Sequence, residues 1–397
     1  MEERNEFWSA FTEINYIGEG SFGLVFKCKT VDGDVVAVKS CPIDLSNKLT
    51  IEDSYSVLKE IAVMRFLIEM QVPYVLPLHS SFYTRNSEAL PPLLVEVAEW
   101  RRQRYKRIEQ EILLNEMPVD AKNKNQNKTL EERVQEEIQR RIDMGEEDEF
   151  EKTERIFYDT VKMPKFMSIA EEDCLVCDAT VFLVLELCDG DVEHLPKNVN
   201  NTNNTIAKGV AYCVSSALAA MHELGILHLD LKPSNILFSY EGHNSNGAVK
   251  FYLSDFGNGA LVGHRYHDTV HDVIGTYEYM DWRALHESVC ARSTDCYSLG
   301  ASLFEILYGT RIYPKCKKCS DENDHTQECY VEFASRPVRI PVSENNNNTI
   351  TNNNKIALTT LQKIVAQLLS YDEKSRMTAE QCRDKLIEAF HITQAQN

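Results

Sequence analysis

HLDLKPSN, residues His228 to Asn235, sets an acid, a lysine and an amide between Asp230 and Asn235. Asp230 can accept a proton from a hydroxyl, Lys232 can steady a phosphate, and Asn235 can hold a metal through its amide oxygen. Twenty residues beyond Asn235, DFG brings Asp255, a hard oxygen donor of the kind magnesium takes. Moving a phosphoryl group needs these parts and little else: phosphates held in place, metal ligands, and a group that orients the nucleophile. The odd member is Leu229, which stands where a charged residue is expected.

Upstream, GEGSFGLV arranges Gly18, Gly20, Gly23 and Val25 as G-x-G-x-x-G-x-V. Glycines let the backbone come close to a phosphate and expose its N–H groups, although an ordinary hairpin can show the same pattern. A dinucleotide-binding fold would need a helix directly afterwards; here LVFKCK continues as strand. Fourteen residues after Val25 stands Lys39, closing VAVK. A strand lysine beneath a glycine-rich hairpin can reach nucleotide phosphates when a carboxylate orients it; otherwise it is an exposed strand lysine. Glu60, inside the amphipathic helix that follows, is the candidate partner, and Glu52, before the periodic face, is the second choice.

The chain has 397 residues, 43% of them hydrophobic, enough for two lobes with a large core. A formal charge of −19 argues against nucleic acid or an anionic membrane as partner, because either asks for a basic face. A solubilising acidic surface is the plain reading, and attraction of basic partners the other. Met1 is followed by Glu2, Glu3 and Arg4 rather than by an apolar segment. The longest apolar runs, such as VFLVLELC, fall well short of the ~20 residues that span a bilayer. The expectation is an intracellular protein, of cytoplasm or nucleus, whose 12 cysteines are reduced thiols.

Along the chain, FTEINYIGEGSFGLVFKCKTVDGDVVAVKSC reads as three strands, with a glycine-rich turn and then a hairpin at Asp32 to Asp34. YSVLKEIAVMRFL places Val57, Ile61, Met64 and Leu67 on one helical face, and YVLPLHSSFYT returns to strand. Residues from about 86 to 173 break the pattern with basic RRQRYKR, polar KNKNQNK and the charged LEERVQEEIQRRIDMGEEDEFEKTE. They read as an insertion with helical pieces. Its basic run is a solvated helix end on the plain reading, and a localisation or docking patch on the other. TVFLVLELC resumes as a buried strand. Helices follow: an apolar stripe through Val210, Val214, Leu218 and Met221 that stops at Gly225, a buried helix from Asp295 to Gly309, and a last helix opened by the Thr378–Gln381 capping box. Strands first and helices after suggest an α+β, two-lobed enzyme.

Taken in order, the glycine-rich loop, Lys39, Glu60, Asp230, Asn235, Asp255 and Asp295 resemble the eukaryotic protein kinase family over about residues 11–390, less the insertions. The resemblance implies the two-lobed kinase fold. A small antiparallel β lobe with one main helix would cover 11–186, with the insertion at 86–173. A larger, mainly helical lobe would cover 187–390, with a second insertion at about 314–355. Residues 1–10 would be an N-terminal extension and 391–397 a tail. The resemblance also implies ATP and Mg2+ as cofactors and protein as substrate, with a regulatory partner conceivable at 86–173.

Carried over residue by residue, Lys39 contacts the α/β-phosphates and pairs with Glu60, Asp230 is the catalytic base, and Asn235 and Asp255 bind magnesium. Ile17, Gly18, Gly20 and Gly23 belong to the loop over the nucleotide. Val25, Ala37 and Leu237 sandwich the adenine, Leu185 is the gatekeeper, and Glu186 to Cys188 line the adenine edge. Met64, Leu78, His228 and Phe256 form a spine anchored by Asp295. Lys232, two residues after the base, and Thr276 in GTYEYM follow the serine/threonine pattern. Serine and threonine hydroxyls are therefore the expected acceptors. A dual-specificity or Wee-like kinase and a kinase-like scaffold that binds without catalysis are the alternatives. GSFGLVFKCK and LDLKPSNIL carry a faint likeness to the Wee-like and initiation-factor-2 kinase cluster.

Three features depart from the family pattern or lie outside it. Leu229 replaces an arginine that grips a phosphate on the activation loop; leucine cannot, so activation through that contact is not expected. In YMDWRAL, Asp281, Trp282 and Arg283 stand where the family has Ala-Pro-Glu. The missing glutamate would pair with an arginine matched by Arg376, and a buried charge without a partner is costly; Asp281 and Glu278 are the candidate substitutes. Last, CKKCSDENDHTQEC spaces Cys316, Cys319, His325 and Cys329 in a way that suits tetrahedral Zn2+, although a loop with unrelated cysteines is the plainer reading. Cys174 and Cys177 have no second pair nearby and read as structural.

Overall fold

The β-branched and aromatic runs at the start of the chain form three antiparallel strands: β1 (Phe11–Gly20), β2 (Gly23–Thr30) and β3 (Val35–Ile43). The second turn closes with Thr30 N–H donating to the Asp34 carbonyl at 2.8 Å. This computed structural model describes residues 7–20, 23–43, 48–84, 105–113, 129–130, 133–134, 136–137, 140, 179–195, 202–240, 248–263, 269–313, 326–341 and 358–392. Most of the expected insertion at 86–173 lies outside them, as do Cys174, Cys177, Cys316, Cys319 and His325.

The chain divides into two compact units: Met1–Val57 with His79–Leu187, and Leu58–Leu78 with Cys188–Asn397. In the first, β4 (Leu78–Thr84) and β5 (Ala179–Glu186) complete a five-stranded sheet in the order β1-β2-β3-β5-β4. Ala179 to Leu185 are all buried, as a continuous apolar run in a covered strand demands. Phe7 and Trp8 supply part of that cover: Phe7 stacks on Phe182 with centroids 3.7 Å apart, and Trp8 meets Phe26 edge-on at 5.2 Å.

Helix α1 (Lys48–Glu69) contributes residues to both units and buries Val57, Met64 and Leu67. It begins before the stretch whose periodicity marks it, because apolar spacing becomes regular only from Val57 onward.

Residues 105–113 of the first unit are also helical; the second unit holds the larger helices that follow and three short strand pairings. Helix α2 (Thr202–Glu223) buries the expected stripe of Val210, Val214, Ala217, Leu218 and Met221. It ends at Gly225, whose φ of +75° closes the helix and turns the chain into β7 (Ile226–Leu227). Strand β6 (Gly190–Asp191) pairs with β8 (Ile236–Tyr240), which pairs with β9 (Val249–Leu253), and β7 pairs with β10 (Ala260–Leu261).

Helix α3 (Trp282–Glu287) leads to α4 (Arg292–Tyr308), which is buried from Thr294 to Ile306. Then come α5 (Gln327–Ala334), α6 (Thr360–Leu368) and α7 (Ala379–Phe390). Helix α2 packs on α4, α7 and β9, and α6 packs on α4. The capping box at Thr378 and Gln381 opens α7; an equivalent box at Thr359 and Gln362 opens α6. A strand-built first unit and a helix-built second make the fold α+β. Burial pushes the thiols of Cys28, Cys213, Cys296 and Cys382 up to about 12, as packed, unreactive cysteines require.

Candidate active site

His228 to Asn235 is held by one carboxylate. Asp295, in the first turn of α4, is fully buried. Its Oδ2 accepts the backbone N–H of His228 at 2.9 Å, and its Oδ1 that of Leu229 at 2.8 Å. The ring of His222, at the end of α2, donates Nε2–H to Oδ2 at 2.9 Å. Burial alone would raise this carboxyl's pKa. The hydrogen bonds from the His222 ring and the His228 backbone outweigh that, and hold it below the usual carboxylate value.

The His228 ring ties the loop to the segment just after β9. Its Nε2 lies 3.0 Å from the Ser254 carbonyl, and its Nδ1 accepts the Asp230 N–H at 3.2 Å. Since one nitrogen accepts and the other donates, the network selects the Nε2–H tautomer. Phe256 meets the same ring edge-on at 5.3 Å.

Asp230, Lys232 and Thr276 form a closed triangle. Thr276 Oγ1 donates to Asp230 Oδ1 at 2.7 Å and accepts from Lys232 Nζ at 3.0 Å, while Lys232 Nζ stands 3.2 Å from Asp230 Oδ2. Asn235 turns its amide N–H2 toward Asp230, donating to the carbonyl at 2.8 Å and to Oδ2 at 3.3 Å. Both of these bonds use the amide nitrogen, so the hydrogen bonds to Asp230 do not occupy the amide oxygen. Asn235 and Asp255 are brought near each other by the β8–β9 pairing, which Ser254 N–H extends by donating to the Asn235 carbonyl at 3.0 Å. An amide oxygen just before β8 and a carboxylate just after β9 are a donor set that fits magnesium.

Thr276 follows Gly275, whose φ is +109° and where a Cβ would lie 2.0 Å from the Leu229 carbonyl oxygen. Only glycine lets these two segments touch. Leu229 itself has a φ of +65° and a buried side chain.

The substitute for the missing glutamate is Asp281. Its Oδ2 pairs with Arg376, both side chains being buried, and its Oδ1 caps α3 by accepting Ala284 N–H at 3.0 Å. Arg376 also donates to the carbonyls of Ser370 at 3.1 Å and Ser293 at 2.9 Å, and lies over the Tyr297 ring. Glu278, the other candidate, accepts instead from Arg311 at 3.1 Å. Arg283 finds Glu373 at 2.5 Å and Glu287 at 3.3 Å. Arg376–Asp281 takes the place of the family ion pair, and Arg283 adds its own pairs to Glu373 and Glu287.

In the first unit, Gly18 pairs with Val25 and Gly20 with Gly23 across the β1–β2 turn. A Cβ on Gly23 would lie 2.1 Å from the Ser40 carbonyl oxygen, so this glycine allows β2 and β3 their close approach. The register sets Val25 opposite Lys39, Lys39 opposite Leu183, and Ala37 opposite Leu185. Since side chains alternate along a strand, Val25, Ala37, Lys39 and Leu185 share one face of the sheet. Ile17 is half exposed, and Glu186 meets His79 at 3.1 Å.

Glu60 and Met64 lie buried on α1 within the second unit, where Cys188 and Leu237 also belong. Of the zinc-spaced residues only Cys329, on α5, is described, and no cluster able to hold a metal through His, Cys, Asp or Glu occurs among the described residues. Zinc is not supported. The sequence reading missed His222, whose place in the last turn of a helix gave no sign of its reach to Asp295. It also missed Tyr313 and Arg311, which are distant in sequence from the groups they touch.

A sheet-built unit and a helical unit whose loop carries an acid, a lysine and an amide in this geometry define a phosphotransferase-like class of fold. A family model described as the protein kinase domain matches residues 119–386, more than half of the chain, and the chain belongs to the protein kinase family. It is 32% identical over 127 residues to the human serine/threonine-protein kinase Sgk1, a stretch covering 32% of this chain and 26% of that protein. It is 30% identical over 153 residues to CDPK-related kinase 4 of Arabidopsis thaliana, covering 38% of this chain and 24% of that protein. The chain thus matches about a quarter of the length of these relatives.

Proposed function

We propose that this chain is an ATP-dependent protein kinase that transfers the γ-phosphoryl group to serine or threonine hydroxyls of protein substrates. The observation that carries the reading is the triangle of Asp230, Lys232 and Thr276. Asp230 orients the acceptor hydroxyl and takes its proton as that oxygen bonds to the γ-phosphorus and the bond to the ADP oxygen breaks. Lys232 steadies the charge on the moving phosphoryl oxygens, and Thr276 keeps the lysine and the acid at fixed separation. Bound at Asn235 and Asp255, magnesium supplies charge neutralisation at the phosphates. Lys39 holds the α/β-phosphates. Ile17, Gly18, Gly20 and Gly23 cover the nucleotide, and Val25, Ala37, Leu185 and Glu186 of the same unit line its base. An intracellular setting and a regulator at the 86–173 insertion belong to the same reading.

The test is phosphorylation of a peptide library and of the chain itself with magnesium-ATP, followed by analysis of the modified residue. Phosphoserine and phosphothreonine are expected. Phosphotyrosine as the main product would favour the Wee-like or dual-specificity alternative. No transfer above an Asp230→Asn control would leave only the scaffold.

A further inference from the structure

Directly after Thr276 the chain makes a single 3-10 turn, Tyr277–Tyr279, closed by Tyr279 N–H to the Thr276 carbonyl at 3.0 Å and Met280 N–H to the Tyr277 carbonyl at 3.2 Å. Such a turn has little cooperativity of its own. Four of its groups are held from outside. The Tyr279 hydroxyl donates to Glu305 at 2.7 Å, and the Tyr279 carbonyl accepts from Ser298 Oγ at 2.9 Å, both on α4. The other two come from the stretch just past α4. Arg311 donates to Glu278 at 3.1 Å, and the Tyr313 hydroxyl donates to the Met280 carbonyl.

Tyr313 is buried. Its hydroxyl lies 3.1 Å from that of Tyr297, and its ring packs against Tyr330 and Phe333 of α5 with centroids 6.0 and 6.3 Å apart. Arg311 also approaches Glu305 at 4.0 Å and Glu193 at 3.9 Å, so it ties the turn to α4 and to the segment after β6.

We propose that Tyr313 and Arg311 are positioning residues for phosphoryl transfer, clamping the Tyr277–Met280 turn so that Thr276 stays hydrogen-bonded to Asp230 and Lys232. The inference rests on the phosphotransferase reading of that triangle. Thr276 has one hydroxyl to satisfy both neighbours, and a shift of the turn that carries it misplaces the acid and the lysine together. A geometry error of this kind lowers the rate of transfer while leaving nucleotide binding alone.

The full chain is compared with Tyr313→Phe, which removes one oxygen and keeps the ring, and with Arg311→Met and Arg311→Lys. Tyr313→Phe and Arg311→Met should each lower kcat about 3- to 10-fold, the scale of one net hydrogen bond, with KM for ATP within about twofold. Arg311→Lys should recover most of the loss. Hydrogen exchange at the Tyr279 and Met280 amides should quicken in the first two variants, with α4 unchanged.

An unchanged kcat, or a lower kcat accompanied by equal loss of protection throughout α4, overturns the clamp. If the wild type transfers no phosphate above Asp230→Asn, the phosphotransferase reading falls and the catalytic role of the clamp falls with it. Exchange at Tyr279 and Met280 then decides separately whether the two residues hold the turn.

Discussion

Leu229 brings no charge to the loop: its N–H is fixed on Asp295, its carbonyl abuts Gly275, and its apolar side chain is buried. A leucine offers no charge to a phosphate, so an incoming phosphothreonine would gain no charge-assisted pair at this position. Thr269, whose hydroxyl lies 3.4 Å from the His271 ring, is the described hydroxyl on which this can be tried. Activity of Thr269→Ala is expected within about twofold of wild type, since the charge that phosphorylation adds has no leucine-based partner to order. Loss of activity in Thr269→Ala with restoration by a phosphomimetic would contradict this. The residue types of the loop were legible in the sequence because DLKPSN and DFG carry chemistry at fixed spacing. The reach of His222 to Asp295 was not, because a hydrogen bond across 73 positions leaves no local pattern.

At the scale of elements, α3 is tied down by two ion pairs of different character. Arg376 and Asp281 are both buried, so truncating one strands the other's charge. Arg376→Ala should therefore cost about 3–5 kcal/mol and lower the melting temperature by several degrees, whereas Arg283→Ala, at a partly exposed pair with Glu373, should cost under about 1 kcal/mol. Thermal unfolding of the two variants checks this, and an unchanged melting temperature for Arg376→Ala would mean that the pair is worth nothing to the fold.

The sequence narrowed the partner of Arg376 to Asp281 or Glu278. What decides between them is that Asp281 also caps α3, which turns its carboxylate inward. Arg311 takes Glu278 away. The start of α7 was readable from its capping box. The same signature opens α6 at Thr359 and Gln362. The first turns of α1 precede the apolar spacing that marks the rest of that helix, so the boundary could not be read from periodicity.

Over the whole molecule, the α+β order was legible because strand and helix periodicities segregate along the chain. The CKKCSDENDHTQEC spacing was equally visible, but Cys316, Cys319 and His325 lie outside the described residues, and zinc has no support. Stability should follow the state of Asp295, the carboxylate on which the candidate catalytic loop hangs. Its folded pKa lies below the ordinary value of 3.8. As pH falls, the unfolded chain therefore takes up this proton first; the contribution is full above the ordinary value and is lost as pH drops through the folded one. Urea midpoints measured across the acid range should fall more steeply for wild type than for Asp295→Asn, and parallel curves would contradict that.

The central claim is that Asp230 acts as the base of a phosphoryl transfer. Steady-state kinetics of purified wild type and Asp230→Asn with magnesium-ATP and a serine- or threonine-containing substrate test it directly. A kcat lower by about a hundredfold or more is expected in the variant, with the melting temperature kept and KM for ATP little changed. Equal rates for the two proteins would contradict it.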